Sequence, residues 1–423
     1  MFFGLFRQEQ PHSNTMPKFF PLAVLALASM AVSLRAETVV VVSLASVAKR
    51  IQAQNPDLAA ARMGIHEAAG RLKQSGRLAN PDLETAFERH SNSREGKVEI
   101  GFAQRFPVTG RLRLEKEVSL TELKSSEAEV REVERQFAGR ARETLVKVLA
   151  TRQRRELLHE QSEVTTRFAQ FLAEIAAKGE GSPLDAGQAK LEGASLALEM
   201  RQLSAGETTL VGELKPLLGM RPEEKLYVDG RLPEPSLPNL AVDPSSRPDF
   251  QAVTLNAIAA AQGLDLESFR RYDDIEGGLF AAAERTKDAP EDYKDEAIIG
   301  LRFKVSLPFW NRNEGAIEEA HAKKARKQME TVALARKIRL EVAAAHAEMK
   351  EWGEMIREIN TTLLPLAVEQ SALAETTYRN GQGEIQSVLR SHEKRFQLAA
   401  ARLDALREFH LARVRYETAL AKP

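Results

Sequence analysis

No cysteine occurs among the 423 residues. That excludes a disulfide framework, thiolate metal sites, a cysteine nucleophile and a bacterial lipoprotein anchor. An excess of charge is also missing, since 60 Lys and Arg face 60 Asp and Glu. The balance argues against a nucleic-acid binder, whose phosphate contacts need a basic surplus. Aromatics are only 6%, few for a compact enzyme core. Beyond the N-terminus, no apolar run reaches the ~18 residues of a membrane-spanning helix. Catalytic signatures are absent too: no GxGxxG opening a helix, no GxxxxGK, no HExxH and no GxSxG. His66-Glu67 and His392-Glu393 each lack the second histidine of a zinc helix. His90, His159, His321, His346 and His410 sit among charged residues and read as solvated side chains. The chain reads as a non-enzyme with no metal site and no cofactor.

What is present is a helix-rich composition dominated by Ala, Leu, Glu, Arg and Lys. It is preceded by an export signal. Residues 19–34, FFPLAVLALASMAVSL, follow Lys18, and small residues allow cleavage after Ala31 or Ala36. This is the order of a secretory signal peptide, assigned to residues 1–36, with Met16 as a possible true start.

The remainder repeats itself. Asn55-Pro56-Asp57-Leu58 opens a helix in one half and Arg247-Pro248-Asp249-Phe250 opens one in the other. Each is followed by two alternating segments and a very long helical stretch. That stretch is interrupted at Lys178-Gly179-Glu180-Gly181 and at Asn380-Gly381-Gln382-Gly383. The expected organisation is a first repeat over 37–220, a Pro-rich connector over 221–248 with six prolines, and a second repeat over 249–423. Ile338, Val342, Ala345, Met349, Trp352, Ile356, Ile359, Leu363 and Leu366 advance in steps of four and three, a coiled-coil seam. Leu196, Leu203, Leu210 and Leu217 recur every seventh residue, as do Leu389, Phe396 and Leu403. Pro365 should break the second rod locally. Each Gly-x-Gly should turn a helical hairpin, with Pro183 in the first turn of a returning helix.

The short segments carry a second period. Val98, Ile100, Phe102, Gln104 and Phe106 share one face, and Glu99, Gly101, Ala103 and Arg105 the other. Ile299, Leu301, Phe303, Val305 and Leu307 oppose Ile298, Gly300, Arg302, Lys304 and Ser306. Strand partners are expected near Pro81–His90 and Ile275–Glu284, with external loops at Ser91–Lys97 and Arg285–Glu296. About ten residues of such alternation in an exported, repeated chain is the pattern of a membrane β-barrel. Phe106, Phe309 and Trp310 would fit an interfacial aromatic belt. Four strands cannot close a barrel, and lipid does not tolerate open edges, so copies must associate.

Three segments carry a resemblance to a known family: NPDLAAARMGIHEAAGRLKQSGRLANPDLE near the start, GLRFKVSLPFWNRNEGAIEEAHA around the last strand and YRNGQGEIQSVLRSHEKRFQLAAARLDALREFHLARVRYETAL at the end. In order and spacing they resemble the TolC-like outer-membrane factors, over roughly residues 45–421. LPFWNRNEGAI is similar to the CzcC-like branch that serves heavy-metal and cation efflux. The resemblance implies a mainly α fold with a small β part. Three chains, each with four strands and two structural repeats, would share a twelve-stranded outer-membrane barrel above a long periplasmic α-barrel. The connector and the C-terminal helix end would form an equatorial belt. It implies a homotrimer in the outer membrane of a Gram-negative bacterium, in contact with outer-membrane lipid and reaching into the periplasm. Its partners would be a periplasmic adaptor and an inner-membrane RND-type pump, and no nucleic acid. It places adaptor docking at the tips, here Gly179, Gly181, Gly381 and Gly383, with Tyr378 matching a family tyrosine three residues before the glycine. Relatives often carry acids after the second tip, where this chain has Ser387 and Arg390. Asp185, equivalent to Ser387 in the first half, could line an aperture or be a solvated helix-start carboxylate. Open alternatives are a type I secretion or drug-efflux duct, a periplasmic adaptor and a coiled-coil structural scaffold.

Overall fold

A computed structural model describes residues 39–287 and 292–422. The expected signal peptide lies outside the described residues. The same succession of elements occurs twice. In the first half, helix α2 (Pro56–Gln74) leads to strands β2 (Asp82–Arg89) and β3 (Gly96–Phe106), then helices α3 (Arg111–Ala177) and α4 (Pro183–Leu217). In the second, α5 (Pro248–Phe269) leads to β5 (Ile275–Lys287) and β6 (Tyr293–Lys304). The long helix α6 (Glu314–Glu358) follows, continued by α7 (Leu364–Arg379), and α8 (Ile385–Ala419) returns. Before the first repeat stand strand β1 (Val40–Val42) and helix α1 (Val47–Gln54), and β4 (Leu226–Val228) lies in the connector.

Local chemistry sets the helix starts. Proline occupies the first turn of α2, α4 and α5, where its missing N–H costs nothing. Asn55 Oδ1 accepts the Leu58 N–H at 2.7 Å and Ser182 Oγ accepts the Leu184 N–H at 3.2 Å, so two of the three carry a side-chain cap. Arg247, at the third, cannot cap. It is buried instead, reaching Asp249 at 2.9 and 2.5 Å and Glu341 at 2.7 Å. With 67 residues and no proline, α3 is a rod of about 100 Å.

The main core sits at mid-length of the helices. Leu145 and Leu149 of α3, Leu214 of α4, Ile338, Val342, Met349 and Ile356 of α6, and Phe409 and Tyr416 of α8 are buried together. The seam expected along the second rod holds as far as Ile359 and then slips. Leu363 and Leu366 are exposed, while Ala367 and Ser371 are buried in their place. The cause is a π-helix at Ile359–Leu363, where the Leu364 N–H bonds back to Ile359 O. Its wider turn inserts an extra residue, just before a proline that has no N–H for the α-ladder.

The connector straps the bundle. β4 pairs in parallel with β1, Val40 against Leu226 and Val42 against Val228, an element too short to show any period in the sequence. Further along, His410 Nε2 bonds Pro233 O at 2.8 Å, His346 Nε2 bonds Pro238 O at 3.0 Å, and the Tyr416 hydroxyl donates to Asn239 O at 2.9 Å. The expectation of solvated histidines is therefore wrong for two of them. His410 is only 4% exposed and His346 half-buried, because the strap's unpaired carbonyls need donors from the helices. Burial pulls the His410 imidazole below its ordinary value, against the raising effect of its bond to Pro233.

β2, β3, β5 and β6 form one antiparallel sheet in that order, with β2 and β6 as free edges. The hairpin expected to open at Arg285 stays paired to Lys287 against Tyr293. Arg285 and Asp295 face each other there, with Nε and Oδ1 2.6 Å apart, and this cross-strand pair extends the ladder into sequence polar enough to read as loop.

Candidate functional site

Two places differ from an ordinary soluble fold: the faces of the sheet and the ends of the helical hairpins.

The sheet is inverted in polarity. Register places Leu83, Phe102, Leu279 and Leu301 in one row, and Thr85, Ile100, Ala281 and Ile299 in the next. This face is bare: Ile299 is 79% and Phe303 71% exposed. Leaving that much apolar surface in water is unfavourable by roughly 25 cal/mol per Å². On the opposite face, Glu99 and Ala103 are buried and the charges are linked. Arg302 reaches Glu84 at 2.8 Å and Glu99 at 2.5 Å, Lys97 reaches Glu99 at 2.9 Å, and Arg105 reaches Glu276 at 3.2 Å. Gly300 makes room for Phe280, whose Cζ would stand 2.5 Å from a Cβ there, and Arg302 lies over the same ring at 5.1 Å. At the strand ends Phe106, Phe309 and Trp310 are exposed, Trp310 at 96%. Apolar outside and ionic inside is the arrangement of a barrel wall in lipid around a wet lumen.

The two hairpin ends are the same turn built twice. Gly179 and Gly381 hold φ of +77° and +74°, a region that favours glycine. In the first, the Gly179 N–H donates to Ala176 O at 3.1 Å and the Glu180 N–H to Ile175 O at 3.1 Å. In the second, the Gly381 N–H donates to Tyr378 O at 2.9 Å and the Gln382 N–H to Thr377 O at 3.1 Å. These paired bonds close a helix end with a left-handed residue. The second glycine of each pair is needed for approach: a Cβ on Gly181 would lie 3.1 Å from Ala176 N, and one on Gly383 3.2 Å from Tyr378 N.

The ends of the two hairpins pack together. Phe168 and Leu172 of α3, Ala189 of α4, and Ile385 and Val388 of α8 are buried as one cluster. Tyr378 meets Phe168 edge-on at 6.1 Å, and Gln386 Nε2 stands 3.3 Å from Gln188 Oε1. Burial, then the charge of Asp185, push the Tyr378 phenol above its ordinary value. Tyr378 and Asp185, each from a different hairpin, thus lie within electrostatic reach. Ser387 and Arg390 are exposed on α8 and take no part in this cluster. His392 was missed by sequence reasoning. It stacks on Phe168 at 6.1 Å and approaches Glu375 at 3.7 Å, and burial lowers its pKa. Ile385, Val388, His392 and Phe396 advance by three and four, a seam that would have found it.

Large apolar side chains also stand unpartnered on the helices. Leu184, Leu191 and Leu198 line α4 at seven-residue spacing, and Met329, Val332 and Leu340 line α6, all exposed. Among the described residues, no helix is long and apolar enough to cross a membrane, and no group of three or more His, Asp or Glu could hold a metal ion.

No protein-family model matches the chain. It is 23% identical over 367 residues to the cobalt-zinc-cadmium resistance protein CzcC of Cupriavidus metallidurans, covering 86% of this chain and 82% of that protein. Among solved structures it superposes on CusC, described for its folding and transmembrane channel formation, with a TM-score of 0.74 and 14% identity over 90% of this chain and 92% of that one. It also superposes on the outer-membrane channel OprN, with a TM-score of 0.72 and 16% identity over 90% of each chain. In fold, therefore, the chain is like CusC and the outer-membrane channel OprN, and in sequence it is similar to CzcC.

Proposed function

We propose that the chain is one protomer of a trimeric duct that crosses the outer membrane and reaches into the periplasm. Its work would be passive. An inner-membrane RND-type pump would supply the energy, and a periplasmic adaptor would engage the Gly179–Gly181 and Gly381–Gly383 turns. The observation that carries this reading is the inverted sheet, whose bare apolar face has no use in water and whose two free edges demand partners. Three copies supply twelve strands around a charged lumen. The exposed leucines of α4 and the apolar row of α6 supply contact surface between neighbouring copies below the membrane.

Metal cations are the proposed cargo, from the similarity to a cobalt-zinc-cadmium resistance protein. Tyr378, edge-on to Phe168 beside the shared buried cluster, would help hold the two hairpins of one chain together at their ends. The test is a strain in which the gene is deleted and then restored. Deletion should raise cellular zinc, cobalt or cadmium and lower tolerance to them, and the restored chain should sediment with the outer membrane. Unchanged metal content with lost tolerance to organic drugs would replace the cargo. Recovery of the chain in the cytosol would overturn the duct.

A further inference from the structure

The second long rod is a single coiled-coil strand in sequence and two segments in structure. Above the break, α6 is held by large side chains, with Ile338, Val342, Met349 and Ile356 all fully buried. Below it, α7 contributes only Ala367 and Ser371 to the buried seam. Small side chains hold neighbouring helices less firmly, because they bury less apolar surface. Between the two lies the π-helix Ile359–Leu363, followed at once by Pro365. Two irregularities in one turn remove regular α-ladder bonding from the place where α6 hands over to α7.

One side chain spans this break. Arg402, on α8, donates through Nε to Asn360 Oδ1 at 2.6 Å and through Nη2 to Glu234 Oε1 at 2.6 Å. It therefore ties the π-helix to the connector strap. The strap is itself fixed at the adjoining carbonyls by His410 and His346. Beside the tie lies a cavity of about 480 Å³, bounded by Pro235 and Leu237 of the strap, Gly353 and Asn360 of the rod and Phe409 of α8. The break thus has both a restraint and room to move.

From this geometry we infer that Ile359–Leu363 is a hinge, that α7 with the Tyr378–Gly381 turn is the arm it carries, and that Arg402 is the latch between hinge and strap. The strap level would stay fixed while the arm swings, so that an opening at the hairpin ends would not disturb the core around Met349 and Phe409. The role of the arm in opening rests on the duct reading; the hinge does not.

Hydrogen exchange followed by mass spectrometry on the intact detergent-solubilised protein tests it. Peptides covering 338–356 should be strongly protected and those covering 359–379 less so. Arg402→Gln, which removes both bonds, should speed exchange over 359–379 by at least about ten-fold, the factor of one lost charge-assisted hydrogen bond, and leave 338–356 unchanged. Asn360→Ala, which breaks the latch from the other side, should do the same. Deleting Thr361 together with Pro365→Ala, which restores an unbroken α-ladder, should slow exchange there. Uniform protection from 338 to 379, or latch variants with wild-type exchange, would overturn the hinge. The same latch variants should raise channel conductance in planar bilayers. Faster exchange without a change in conductance would uphold the hinge and reject the arm's part in opening.

Discussion

Replacing Asn55 separates two jobs done by one buried side chain. Asn55 is 3% exposed. Its Oδ1 accepts the Leu58 N–H at 2.7 Å, and its Nδ2 donates to Leu217 O at 2.8 Å. It therefore starts α2 and ends α4 at the same point. Asn55→Ala removes a cap, about 1 kcal/mol. It also leaves the Leu217 carbonyl without that donor, about 1–3 kcal/mol more. The joint has little freedom to relax, since a Cβ on the adjacent Gly219 would already sit 2.1 Å from Gln54 O. A total of roughly 2–4 kcal/mol follows from those two contributions. Asn55→Asp keeps the cap but turns a carboxylate oxygen toward the Leu217 carbonyl. Protonation would restore a donor, so the folded-state pKa of that carboxyl should rise above its unfolded value. Its stabilisation should then be full at pH below about 4 and be lost as pH climbs through the raised value. Equilibrium hydrogen exchange over α2 and the end of α4, measured against pH in detergent, reads both effects. Exchange in Asn55→Ala within two-fold of wild type, or no recovery of Asn55→Asp in acid, would refute the assignment of two separate bonds.

Gly381→Val places a β-branched residue at a φ of +74° and should strain the turn by about 1–2 kcal/mol. Adaptor co-purification and metal tolerance should fall while the amount of trimer in the membrane holds; normal tolerance would count against docking at this turn. Gly300→Ala drives a methyl into Phe280 and should destabilise the sheet by about 1–3 kcal/mol, with Phe280→Leu as a rescuing second change in thermal unfolding. Burial raises the Asp249 carboxyl, but the bonds and charge of Arg247 outweigh it and hold it below its ordinary value. The pair should therefore stabilise the fold above about pH 4 and lose that contribution as pH falls through the lowered value. Arg247→Ala should be destabilising by about 3–5 kcal/mol at neutral pH and should flatten this acid limb in a denaturation series.

Features with a local cause were legible in the sequence. Gly179 and Gly381 are needed by one turn geometry, so the repeat of Gly-x-Gly revealed two equivalent hairpins. Strand alternation was legible because the bare apolar face and the ion-paired face of the sheet differ in chemistry at every step. What stayed hidden depends on partners far along the chain. β1 and β4 are three residues each and exist only as a pair. His410 and His346 looked solvated because the strap carbonyls that bury them lie more than a hundred residues away. The seam past Ile359 was misplaced because a strict heptad cannot register the extra residue of a π-turn. At the hairpin ends, Tyr378 was found by resemblance and His392 was not, although both pack on Phe168.

The claim beneath all of this is that one chain supplies four strands of a wall it cannot close alone. Native mass spectrometry of the protein extracted from the outer membrane tests it directly. A mass three times that of the processed chain, held without added partners, is the expected result. A monomer or a dimer would leave free strand edges in lipid and contradict it.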